Sequence, residues 1–160
     1  MSKKVPVLLG DHGFWAFQES LSVVLLQAID AIEGADAPEW LMSEMEGWRR
    51  AAGLPDHALS FPADWSREQR DRTVSYLARV RSRMLTEPLL PAEMNGWRPF
   101  KDLRPMFSWD GSEPVPPDRF IEVADGLIQL LNDTLPALEQ SWWYLGTGQR
   151  PPLTTPMTDS

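Results

Sequence analysis

Side chains that can move protons, hold metals or attack a carbonyl are sparse in this chain of 160 residues. Only two histidines occur, His12 and His57. A helical di-iron centre needs two Glu-x-x-His pairs and a hydrolytic zinc site needs His-Glu-x-x-His; the sequence contains neither. With no cysteine, thiolate zinc sites, thiol nucleophiles and a disulfide framework are excluded together. That composition suits a reducing compartment. No Gly-x-Ser-x-Gly elbow and no phosphate-cradling glycine loop is present. His12, between Asp11 and Gly13, reads as a turn residue before a first helix. The expectation is a non-catalytic chain with no cofactor and no metal.

Carboxylates are the abundant reactive group. The formal net charge is −8. Ten acids lie between Asp11 and Asp64 against Arg49 and Arg50, and seven between Asp110 and Glu139 against Arg119. Such faces repel phosphate, which disfavours nucleic acid, and attract basic partners. Asp30 and Glu33, and Glu122 and Asp125, fall three apart and share helix faces. The segment from Arg67 to Arg83 reverses the sign, with six arginines against Glu68 and Asp71. Its arginines are expected to bind the acidic helices of the same domain.

The eight tryptophans are the second enrichment. Trp40, Trp48 and Trp142 fall on apolar stripes and read as core, whereas Trp15, Trp97, Trp109 and Trp143 are harder to bury. Large rigid rings beside acids, as in Phe107-Ser108-Trp109-Asp110, suit a protein partner with basic side chains. The candidate partner-binding set is therefore Trp109, Asp110 and Glu113 of one loop, Trp97, and the acids Glu39, Glu44 and Glu46.

These residues must be positioned by helices. Phe14 to Glu33 has apolar residues at steps of three and four, widened by Val23, Leu26 and Ile29, which predicts a central helix ended by Gly34. Asp36 with Glu39 reads as a capping box opening a second helix, stopped by Gly53, Leu54 and Pro55. Asp56 to Trp65 reads as a loop. Ser66 with Gln69 gives another capping box and a third helix to about Thr86.

Seven prolines between Glu87 and Pro117 argue against long helices, while the interleaved aromatics argue against disorder. An ordered loop is predicted there, with a single turn near Lys101 to Met106. The last helix starts near Asp118 and follows a seam through Leu145, broken around Asp133 to Leu135 ahead of Pro136. A mobile tail is expected over 147–160.

With no alternating run read as a strand, the expected fold is all-α: one domain over residues 1–146, a bundle of about four main helices with a long Pro/Trp-rich loop before the last. No export signal or membrane span is read, so the expected location is cytoplasmic. The function this suits is an immunity protein or antitoxin that neutralises a basic toxin or effector. The alternatives are a small-molecule binder with a pocket of tryptophan and carboxylate, or a subunit of a homo-oligomer.

Overall fold

A computed structural model describes residues 4–103 and 107–135, and the backbone of Tyr144 and Leu145. It corrects the all-α expectation, because helices pack on a mixed sheet. Strand β1 (Lys4–Leu9) turns through Gly10 and Asp11 into β2 (His12–Phe17), an antiparallel hairpin pairing Leu9 with His12 and Lys4 with Phe17. Gly10 takes φ 64, the left-handed conformation that a tight two-residue turn demands and glycine supplies at no steric cost. His12 is thus the first residue of a strand and not a turn leading into a helix.

Strand β3 (Leu59–Phe61) adds parallel to β1, and β4 (Tyr144–Leu145) adds parallel to β2, giving the order β3-β1-β2-β4. Pro6 is tolerated because β3 pairs only with Val7 to Leu9. At Pro6 that side of β1 is effectively an edge, where a missing N–H costs little. Leu145, expected on the last helical seam, lies instead in β4.

One face of the sheet is core. Val5, Val7 and Leu9 alternate on β1, Phe14 and Ala16 on β2, and Leu59 and Phe61 on β3, all buried. Helix α1 (Gln18–Glu33) follows β2 directly and is embraced by the other long helices, burying Leu21, Val24, Leu25, Ala28 and Ile32. It begins four residues later than its apolar periodicity suggests, because Phe14 to Phe17 belong to the hairpin.

The expected second helix is two pieces, α2 (Glu39–Met42) and α3 (Met45–Gly53). Asp36 caps neither; Pro38 opens α2 with no side-chain cap. Two buried polar residues of α1 terminate α3 instead. Gln18 donates through Nε2 to the carbonyls of Ala51 (3.1 Å) and Leu54 (2.7 Å), and the Ser22 hydroxyl donates to Ala52 O at 2.7 Å. These satisfy carbonyls that a helix C-terminus leaves unpaired. Gly53 is the last residue of α3 and not a left-handed stop. A Cβ there would lie 2.2 Å from Pro99 Cγ, so the loop crosses too close for any side chain.

Helix α4 (Arg67–Thr86) forms as its sequence dictates. Ser66 Oγ accepts from Gln69 N (3.1 Å), and Gln69 Oε1 accepts from Ser66 N (2.8 Å). Within the proline-rich stretch, Pro91 begins a short helix α5 (Pro91–Met94), Leu89 bridges Val115, and Lys101 and Asp102 form a turn. The expected turn at 101–106 lies partly outside the described residues. Helix α6 (Asp118–Leu131) packs on α4 and the sheet. It stops where the break was expected, with Asp133 left-handed at φ 60 and Thr134 N donating back to Gln129 O. The expected tail lies outside the described residues.

Candidate functional site

Four aromatic rings run in contact from the core to the surface, edge-on at two joints and tilted at the middle one. Trp48 of α3, 1% exposed, meets Phe61 of β3 at 5.9 Å and 79°. Phe61 meets Trp65 at 5.9 Å, and Trp65 meets Trp40 of α2 at 5.4 Å and 75°. Edge-to-face pairs of this kind fix ring orientation beyond what area burial alone would do. Trp40, read from sequence as core, is the half-buried outer end of the ladder. It walls a hollow of about 530 Å³ between Pro38 and the first turns of α4, with Glu68, Asp71 and Arg72 on the opposite side.

Acids surround this end of the molecule. Glu39 is exposed beside Trp40 in the chain, and Glu44 is half-buried at the start of α3. Partial burial, reinforced by the nearby Asp64 carboxylate, raises the Glu44 pKa above its ordinary value. Glu39, Glu44, Asp64 and Glu68 make no ion pair among the described residues, whereas Asp71 is 3.6 Å from Arg67 and Glu46 pairs with Arg50 at 2.7 Å.

The second aromatic group is closed on itself. Trp109 stands edge-on to Phe120 (5.7 Å, 76°), and the Arg119 guanidinium lies 4.6 Å from its ring centroid. Arg119 also pairs with Glu19 of α1 at 2.8 Å. Asn95 clamps the Trp109 backbone from both sides, accepting from its N–H at 2.7 Å and donating to its carbonyl at 2.8 Å. Asp110 and Glu113 are exposed on the same loop.

The anticipated site thus divides. Trp97 and Trp109 come together over the α1–α3 junction, around a space of about 20 Å³ that also touches Ala52 and Phe107. Glu44 and Glu46 lie at the opposite end of α3, roughly 9–12 Å from Ala52 by helical rise, and Glu39 opens α2. Missing from the expectation were Trp40, Asp64 and Glu68. No sequence signal marked Trp40, because the second helix reads as continuous from Asp36 to Gly53 and its division into α2 and α3 is seen only in the structure.

A further cleft of about 390 Å³ opens where α1, α3, α4 and the turn after α5 meet. Asp30 and Glu33 do share a face, as their spacing requires, and both line this cleft with Trp97. Glu33 pairs there with Arg49. Asp125, of the other carboxylate pair, pairs with Arg81 of α4 at 2.5 Å.

Among the described residues Arg81 is the one arginine of α4 that pairs with an acid on another helix; Arg67 pairs with Asp71 within α4, and Arg83 with Glu87 at its C-cap. Arg67 also donates to Leu131 O at 3.1 Å, placing positive charge at the C-terminus of α6, where the helix dipole favours it. The arginine surplus is only partly matched by acids elsewhere in the domain.

Among the described residues no three His, Asp or Glu side chains converge as a metal site, and no helix is long and apolar enough to cross a membrane. The chain matches no protein-family model, no curated protein and no solved structure.

Proposed function

We propose that this chain is a non-catalytic binding protein that captures a basic protein partner at the Trp40 end of the molecule. An immunity protein or antitoxin acting in the cytoplasm is the role that fits. The observation carrying the reading is Trp40 itself, a ring half open to solvent, fixed from behind by Trp65, Phe61 and Trp48, with no cation stacked on it among the described residues. The nearby acids Glu39, Glu44, Asp64 and Glu68 stand outside any ion pair there, although Arg72 shares the wall of the hollow. A pre-ordered tryptophan loses little entropy on binding and is a typical interface anchor. Glu39, Glu44, Asp64 and Glu68 supply the field that would speed capture of a cationic surface and select against acidic ones.

Of the residues anticipated from sequence, Glu39 and Glu44 belong to this face and Glu46 flanks it through its pair with Arg50. Trp109 contributes differently, since its ring already stacks on an internal guanidinium. Nucleic acid remains disfavoured at this face by the sign of its charge.

Affinity capture with the tagged chain from its own cells, washed at rising salt, tests the proposal. One basic protein retained near stoichiometry and released as salt screens the contact is the expected result. A lane with no enriched basic protein would overturn it.

A further inference from the structure

The cleft between α1 and the turn after α5 carries both signs of charge on separate elements. Arg98 follows the turn, and Arg83 lies near the end of α4, held loosely by Glu87 at 3.7 Å. Asp30 projects from α1 and Glu93 from α5, both exposed. Asp30, Glu93 and Arg98 form no ion pair among the described residues. Leu26, Ile29 and the half-buried Trp97 ring line the same cleft. Gln27 is only 8% exposed; its Nε2 donates to Val23 O at 3.2 Å, while its Oε1 has no partner among the described residues. That oxygen is not sealed from solvent, so it can accept from a donor that enters the cleft.

Geometry limits the occupant. A polyphosphate would meet the carboxylates, and a simple cation would meet the guanidinium groups, so either sign alone leaves like charges opposed. A ligand that carries a group of each sign beside an apolar body leaves neither opposed. At about 390 Å³ the cleft is within the range of small-ligand sites.

We propose that this cleft binds a small zwitterion of the amino-acid class, a free amino acid or dipeptide with an apolar side chain. Its carboxylate meets Arg98 and Arg83, its ammonium meets Asp30 or Glu93 and the Gln27 oxygen, and its side chain lies on Trp97. This site is independent of the Trp40 face.

Titration of the full chain with L-phenylalanine, L-leucine and Phe-Leu, followed by calorimetry and by the Trp97 indole resonance, tests it. Phenethylamine and 3-phenylpropionate each keep the ring and drop one charge. At least one zwitterion is expected to bind and shift that resonance, about tenfold or more tighter than either analogue. Arg98→Ala and Glu93→Gln change exposed side chains, so each is expected to keep the wild-type melting curve and to weaken binding by about tenfold. No response to any of the three zwitterions at millimolar concentration would overturn the proposal. So would equal binding of the singly charged analogues, or zwitterion binding that both variants leave unchanged.

Discussion

Two tryptophans of this molecule stand in superficially similar places, and their surroundings set them apart. Trp40 and Trp109 are both half-buried, both edge-packed on another ring, and both close to acids. Beside Trp109 the chain supplies its own cation. Arg119 lies over the ring, and its charge is answered by Glu19 while Asn95 holds the backbone. No cation stacks on Trp40 among the described residues, and the neighbouring acids Glu39, Glu44 and Glu68 lack partners of opposite charge. A ring and its charges that satisfy one another are holding the fold. A ring held from behind, among charges left unanswered, is available to something else.

The inner rungs of the Trp40 ladder are expected to give the largest effect. Phe61→Ala removes a buried ring touching Trp48 and Trp65 and should cost about 3–5 kcal/mol of stability by urea unfolding. A loss under about 1 kcal/mol would mean that Trp40 is not held by the core. On the other side of the comparison, Asn95→Ala strips two hydrogen bonds from the Trp109 backbone and should cost about 2 kcal/mol. Gly53→Ala drives a methyl group into Pro99 beneath the same loop and should cost about 1–3 kcal/mol, without altering α3 helicity in circular dichroism.

The smallest effect concerns Glu44. Its folded pKa is raised by burial and by Asp64, so in the pH range just above the ordinary carboxylate value the folded state holds more protons than the unfolded one. Stability from this group is therefore full at acid pH and falls as pH rises through the folded pKa. Glu44→Gln should raise the melting temperature slightly at pH 7, leave it unchanged near pH 3, and matter less at high salt. A lower melting temperature for the variant at pH 7 would show that the Glu44 charge is stabilising, contrary to this account.

Some of this was legible in the residues. Ser66 and Gln69 announced α4 because a capping box is a local device that tertiary packing rarely overrides. The end of α6 at Leu131, just ahead of left-handed Asp133, was legible because Pro136 forbids continuation. The hairpin was not. Its outer face carries Pro6, Leu8, Trp15 and Phe17, so both faces read apolar and the period of two is masked. Phe14 and Phe17, three apart, also fit the helical stripe that truly begins at Gln18.

Asp36 misled for a different reason. Its capping pattern is local, but Pro38 and not Asp36 opens the helix, Ser43 and Glu44 divide it, and α3 is ended by Gln18 and Ser22 from α1, a long-range contact that no window along the chain can contain. For the site, the acids and the role of aromatic rings were visible in composition. Which ring stays open depended on where Arg119 folds back, and that is tertiary information.

The central claim is that Trp40, and not Trp109, is the ring a partner meets. Capture from the protein's own cells should therefore be run in parallel with wild type, Trp40→Ala and Trp109→Ala, each checked for its melting temperature. The account predicts a basic partner retained by wild type, weakened by at least about tenfold in Trp40→Ala, and retained by Trp109→Ala in proportion to the protein still folded. A partner lost with Trp109→Ala while that variant is folded, and held normally by Trp40→Ala, would contradict it.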